Sequence, residues 1–534
     1  MTALTDAVDE LFAAWNKPDS PGCALAIIQD GAIAYERGYG MADLEREVPI
    51  SPVSVFDIGS TGKQFTAMLM AILAKQGDLS LDDTIHKYVP EMPSYEQPIT
   101  IRHLIHHTSG LRDYTTLMHL SDMHFENFYY EDELLELICR QKQLNFRPGD
   151  EFLYSNTGYF LLGIVAKRIT GQSFPELIRQ NILKPLGMQA TDFNDDAKRI
   201  VKNRAVGYSP KEGDGYCTDM SFCGGYGDGA ILTTVKDLFL WDQNFYNNKL
   251  GGGGEELIQE MLAPGELNSG EGLDYAFGLF ITDYRGLRMV SHGGGWAGYR
   301  SELVRFPDQK LSVVCLSNLT SVNPSRLAQQ VADLYLADQL AAPEQPSDQE
   351  ATEFSGLSIG QIESITGFYR NQKAGNILEL STQDGELVAK AFGLRFQLVA
   401  TSSTHLKAIE PPHDVQIELE GPHPEGAPTI GVKLEGRKPE SYRKMTTTPV
   451  TPSQMAAYEG SYRSDELDIS YRILLDEGQL FLKRGYSARE ALCPVTQDLF
   501  TSGLLDLQFE RNEEDEVCTL RLGADRVRDL VFLR

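Results

Sequence analysis

What this chain lacks narrows its class before any motif is weighed. No stretch reaches the ~18 consecutive apolar residues that a helical membrane span needs, so none is expected. The first residues, Met1 to Asp6, carry neither a basic start nor an apolar core, and no secretory signal is expected from them. Positive charge is scarce: 48 Lys and Arg stand against 76 Asp and Glu, a formal charge of −28. Such a field repels phosphate, which argues against nucleic acid and anionic membrane as partners. Cysteine is sparse and shows no paired pattern. The seven cysteines, at positions 23, 139, 217, 223, 315, 493 and 518, are odd in number and form no CxxC. Neither a zinc site nor a disulfide framework is indicated, and no metal or organic cofactor is expected. A reducing, cytoplasmic location is the matching expectation.

What is present is ordinary core-forming material, 42% hydrophobic over 534 residues, enough for several domains. Near the start, Ala24–Ile28 and Ala32–Tyr35 read as a hairpin turning at Asp30-Gly31. From about 80 to 200 the pattern is mainly helical, and strands return in Phe277–Ile281, Arg288–Val290, Glu302–Phe306 and Leu311–Leu316. The expected architecture for residues 1–340 is therefore α+β: a sheet made from both ends of the segment, flanked by helices, with a helical insertion. Residues 341–354, acidic and proline-containing at their start, read as a linker. Beyond it come short alternating strands, as in antiparallel sandwiches or barrels. This part repeats itself: Gly367, Tyr369, Arg370, Gly385 and Leu387 recur as Gly460, Tyr462, Arg463, Gly478 and Leu480, an offset of 93 throughout. Two related β-modules are expected, 355–448 and 449–534.

Three short motifs carry chemistry. Ser60-Thr61-Gly62-Lys63 opens a stretch in which Phe65, Met68, Leu69, Ile72 and Leu73 recur at helical spacing, with Gly77-Asp78 as a stop. An amphipathic helix would hold Ser60 and Lys63 one turn apart on one face. Ser60 would lie at the helix N-terminus, where developing negative charge is favoured. A desolvated neutral lysine can take a serine's proton as the hydroxyl attacks a carbonyl. Tyr154-Ser155-Asn156 offers a tyrosine to relay protons and an asparagine to orient the lysine or a substrate amide. Ser291-His292-Gly293-Gly294-Gly295 follows the strand Arg288–Val290. Its glycines would let a substrate backbone run beside the strand, and the amides of Ser60 and Gly295 could form an oxyanion hole. Singly, each motif has a plainer reading: a helix cap with a solvated lysine, a turn before a helix, a glycine-rich hairpin.

Together, in this order and at these intervals, the three resemble the serine β-lactamase-like hydrolases: class C β-lactamases, D-alanyl-D-alanine peptidases and their esterase relatives. Leu104–Leu111, Leu183–Met188 and Gly229–Leu238 look like segments of the same family, and the likeness covers about residues 5–335. It implies Ser60 as the acylated nucleophile, Lys63 and Tyr154 as the base and acid pair, and Asn156 as a positioning residue. His292 stands where β-lactamases usually carry the lysine of Lys-Thr-Gly, replacing a fixed cation with a mostly neutral group. In the family the stretch holding His106 and His107 is structural, although two histidines also suggest metal ligands.

A catalytic domain followed by two β-modules is similar to the D-stereospecific aminopeptidases of this family. Ser109–Tyr114 and Gly460–Asp468 look like segments of those enzymes. In them the modules are antiparallel barrels, and a loop of the last one limits the space for the substrate N-terminus. The comparable segment here is Arg484-Gly485-Tyr486-Ser487-Ala488-Arg489-Glu490. It makes Arg484, Tyr486, Arg489 and Glu490 candidate substrate-binding residues beside Gly293 and Gly294, with Glu490 the acidic candidate for an α-ammonium and Arg489 its competitor. The resemblance thus implies release of N-terminal D-amino acids from short peptides, amides or esters. An esterase of relaxed specificity, a D-alanyl-D-alanine peptidase or β-lactamase-like enzyme, and a catalytically silent binding protein are the alternatives. The partner expected is a small-molecule or short-peptide substrate; a homodimer is left open.

Overall fold

The computed structural model describes residues 2–534 apart from 126, 197, 212, 222–224, 343–356, 384, 392–393, 409–414, 423–426, 435–438, 486 and 503–504. A first helix, α1 (Thr2–Leu11), leads into the expected hairpin. Its strands are β1 (Cys23–Gln29) and β2 (Ala32–Tyr39), and both Asp30 and Gly31 take positive φ at the turn, 51° and 80°. Four later strands complete the sheet: β3 (Phe280–Tyr284), β4 (Leu287–Trp296), β5 (Tyr299–Phe306) and β6 (Leu311–Ser317). The order is β3-β4-β5-β6-β1-β2, every pairing antiparallel, with Cys23 opposite Ser317 and Gln29 opposite Leu311. The two ends of the segment therefore meet in one sheet, as the strand positions predict.

β1 is a continuous apolar run because both of its faces are covered. On one side α1 and α5 (Pro324–Tyr335) bring Val8, Phe12, Leu327 and Val331 against Leu25, Ile27, Val313 and Cys315. On the other lie α2 (Lys63–Gln76) and α4 (Val235–Asn244), joined where Phe65 stacks on Trp241 at 4.2 Å between centroids. Arg305 of β5 and Asp242 of α4 form a buried ion pair there, 2.7 Å from Nε to Oδ1. Asn156–Thr170 forms α3, which packs beside α2.

The structure corrects three local expectations. α2 is not amphipathic: every residue from Lys63 to Leu73 is buried, as a helix at the centre of a domain must be. It ends as expected, with Gly77 left-handed at φ 82° and its N–H on the Leu73 and Ala74 carbonyls. The strand expected over Phe277–Ile281 begins only at Phe280. Gly278 takes φ +70° because its segment presses on the start of α2, where a Cβ would lie 2.7 Å from the Lys63 carbonyl carbon. Finally, the strand expected to end at Val290 continues to Trp296, so Ser291–Gly295 are strand residues paired with β5.

Contact clustering divides the chain into two units, the first being Met1–Leu111, His124–Cys139 and Phe146–Ala342. The second joins Arg112–Met123 and Arg140–Asn145 to Pro343–Arg534. It contains two closed antiparallel barrels of eight strands, from Gly367–Asn371 to Glu440–Lys444 and from Gly460–Ser464 to Val527–Leu533. The 93-residue repeat has a structural meaning. Capping boxes at Ser358 and Thr451 start equivalent helices. The buried hydroxyls of Tyr369 and Tyr462 then donate to the carbonyls four residues back, Ile365 at 2.7 Å and Tyr458 at 2.8 Å. The segments 112–123 and 140–145 are built into this unit by buried polar contacts. Arg112 pairs with Glu466 at 2.8 Å and donates to the carbonyls of Arg528 and Asp529, while Gln141 Nε2 donates to the Glu466 carbonyl at 3.1 Å. The expected linker, 341–354, lies outside the described residues from 343 onward.

Candidate active site

Ser60 lies in a 3-10 turn, Gly59–Gly62, and the α-helix proper begins at Lys63. The turn is reached through Gly59 at φ +48°, where a Cβ would sit 2.9 Å from the Gly295 nitrogen; only glycine allows so close an approach of turn and strand. The Gly59 N–H donates to Asp57 Oδ1 at 2.9 Å. Burial raises the Asp57 carboxyl to about 6, an effect that this hydrogen bond partly offsets.

Lys63 Nζ reaches three oxygens: Ser60 Oγ at 2.9 Å, Asn156 Oδ1 at 2.8 Å and the Asp228 carbonyl at 2.8 Å. Two of these can only accept. In its neutral form the amine would have two N–H donors and one lone pair; with the donors on Asn156 and Asp228, the lone pair would face the Ser60 hydroxyl. One turn along α2, Thr66 donates to the Gly227 carbonyl at 2.6 Å and so anchors the loop that presents Asp228. Tyr154 contributes its ring to the same place, with Lys63 Nζ 5.0 Å from the ring centroid.

β4 supplies the third side. Thr61 Oγ1 donates to the His292 carbonyl at 3.0 Å, and Ser301 Oγ of β5 donates to the Ile58 carbonyl at 2.7 Å. Gly294 is required at this seam, since a Cβ there would stand 2.0 Å from the Ile58 oxygen. His292 is buried against Tyr154, Tyr275 and Phe280. Its Nδ1 meets the Gly293 carbonyl at 2.6 Å, so that nitrogen carries the proton and Nε2 accepts the Tyr275 hydroxyl at 3.2 Å. Burial first, and the Lys63 charge second, lower the imidazole to about 3. The position is neutral at pH 7.

The structure therefore brings together Ser60, Lys63, Tyr154, Asn156, His292 and the glycines 293–295. Arg484, Arg489 and Glu490 belong to the second unit and are engaged there; Tyr486 lies outside the described residues. The expected competition of Arg489 for Glu490 does not occur. Arg484, buried at the end of its strand, holds Glu490 through Nε at 3.0 Å, and Arg489 turns instead to Asp476 at 2.6 Å. Sequence reasoning missed Asp228 and Tyr275. Asp228 acts through its carbonyl, for which side-chain identity carries no signal, and Tyr275 sits in no motif. Among the described residues no group of three or more potential metal ligands is found, and no helix is long and apolar enough to cross a membrane.

Comparison with known proteins bears on this geometry. The family model described as Beta-lactamase matches residues 7–337. Penicillin-binding protein 4* of Bacillus subtilis is 28% identical over 404 residues, covering 72% of this chain and 86% of that protein. A D-aminopeptidase of Gluconobacter oxydans is 26% identical over 530 residues, 96% of each chain. Among solved structures, the octameric penicillin-binding protein homologue from Pyrococcus abyssi shares the fold with a TM-score of 0.58 at 24% identity, over 83% of this chain and 99% of that one. With more than half of its length matched by the family model, the chain belongs to the beta-lactamase family and is a serine hydrolase.

Proposed function

We propose that the chain hydrolyses amides and esters through an acyl-enzyme on Ser60, and that its preferred substrates are short peptides, amides or esters with an N-terminal D-residue. The observation that carries the chemistry is the Lys63 amine nitrogen, held between two pure acceptors with its remaining direction on Ser60 Oγ at 2.9 Å. Ser60 Oγ attacks the substrate carbonyl carbon while Lys63 takes the hydroxyl proton. The tetrahedral oxyanion is held by the amides of Ser60 and Gly295. As the C–N or C–O bond breaks, the leaving group receives a proton relayed through Lys63 and Tyr154. Water, deprotonated by the same pair, then attacks the ester carbonyl and frees Ser60.

The substrate class draws its support from the D-aminopeptidase likeness, which runs the length of the chain. The neutral, buried His292 agrees with it, since no fixed cation is offered there to a substrate carboxylate. One observation favours a relaxed esterase as the second reading: Glu490, the acidic candidate for an α-ammonium, is taken by Arg484. Incubation with a fluorophosphonate followed by peptide mass spectrometry tests the nucleophile, with an adduct on Ser60 expected in the wild type and none in Ser60→Ala. Rates on the p-nitroanilides of D-Ala, L-Ala and N-acetyl-D-Ala, beside p-nitrophenyl acetate and a β-lactam, test the class. D-Ala first is the aminopeptidase result; turnover of the ester alone would leave the esterase.

A further inference from the structure

His107 grips the chain on both sides of Tyr154. Its carbonyl accepts the Leu153 N–H at 3.0 Å, and its Nδ1 accepts the Ser155 N–H at 3.1 Å. Between those two bonds its ring lies against the Tyr154 ring, with centroids 4.2 Å apart. The next residue continues the contact, as the Thr108 carbonyl accepts the Gly149 N–H at 2.8 Å. The loop that delivers Tyr154 and Asn156 is thus laced along 107–108, in addition to its own turn bond from the Asp150 N–H to the Arg147 carbonyl at 3.0 Å. To do this His107 adopts φ +57°, a left-handed conformation uncommon for a residue with a Cβ. Because Nδ1 accepts an amide proton, the neutral ring carries its hydrogen on Nε2. His106 meanwhile donates to the Tyr275 carbonyl at 3.3 Å, on the wall that holds His292.

We propose that His107 is a positioning residue for Tyr154, its Nδ1 lone pair and left-handed backbone fixing the phenol against Lys63. This rests on the reading of Ser60 as nucleophile with Tyr154 in its proton relay. Packing alone would need a ring at 107 and no acceptor. Positioning needs the acceptor, and predicts that its loss is felt only through Tyr154.

His107→Gly and His107→Asn separate these. Both residues tolerate positive φ, but only asparagine keeps a side-chain acceptor. With folding checked by far-UV circular dichroism, the rate of Ser60 labelling by a fluorophosphonate and the kcat and KM for p-nitrophenyl acetate are measured. His107→Gly should slow labelling and lower kcat about tenfold or more with KM little changed, and His107→Asn should recover to within about threefold of wild type. In a Tyr154→Phe background the tenfold cost of His107→Gly should shrink below about threefold, as coupled sites require. Equal rates for the Gly and Asn variants, or the same fold-loss in both backgrounds, would overturn the proposal. If the glycine variant does not fold, His107→Ala takes its place in the same cycle. Failure of the wild type itself to be labelled would instead strike the Ser60 reading.

Discussion

Lys63 Nζ stands 2.8 Å from Asn156 Oδ1, so the first residue of α2 is fixed by the first residue of α3. Two helix starts, far apart in the chain, converge on one amine. If that amine serves as the base for Ser60, Lys63→Ala should cut the acylation rate by at least about 10²-fold. Lys63→Arg should be no better, because a guanidinium keeps its proton. Stopped-flow measurement of the acylation burst decides the matter; near-normal acylation by either variant would make Lys63 a bystander.

His292 gives the protein a calculable acid sensitivity. In the unfolded chain it takes up a proton below about pH 6.5, whereas in the folded state burial postpones this to about 3. Stability due to this residue is therefore complete above 6.5 and is lost as pH falls toward 3. His106, lowered to about 4 by burial, acts in the same direction. Asp57, raised to about 6, acts in the opposite one, favouring the fold at low pH and losing that contribution as pH rises through about 6. The stability difference between wild type and His292→Asn isolates the imidazole. It should move against the wild type by about 1.4 kcal/mol for each pH unit below 6.5. Urea titrations at pH 7 and pH 5 measure it, and a difference independent of pH would refute a neutral buried imidazole.

Arg112 and Glu466 are both buried, and the pair is 2.8 Å apart within the second unit. Removing one partner leaves a charge with no route to water. Glu466→Ala should destabilise the protein by about 3–5 kcal/mol, whereas replacing both residues with apolar ones of similar size should cost much less. Chemical denaturation followed by tyrosine fluorescence reads both. A single variant within about 0.5 kcal/mol of wild type would show that the pair is solvated in solution.

The legible parts of this molecule are those in which a local pattern suffices. The hairpin at Asp30-Gly31 follows from turn chemistry and flanking apolar runs, and the stop at Gly77 from the left-handed cap a helix end requires. The repeat at 93 residues was visible because each barrel needs the same buried tyrosine and the same glycine turn, at Gly385 and Gly478. Less legible was whether a strand ends. Three glycines beyond Val290 also fit a glycine-rich hairpin, yet β4 runs on to Trp296 because β5 supplies hydrogen-bonding partners that local propensity does not register.

Sequence alone determined which side chains could do chemistry: Ser60, Lys63, Tyr154, Asn156 and His292 are named by their motifs, and their spacing orders them along the chain. Tertiary structure decided what state and surroundings they have. The neutrality of His292 follows from burial beneath Tyr275 and Phe280, and the third acceptor on Lys63 is a backbone carbonyl from a separate loop. The engagement of Glu490 by Arg484 rather than Arg489 is likewise a matter of which guanidinium is buried beside it. Proton position and charge depend on distance and dielectric, and these exist only once remote segments have packed.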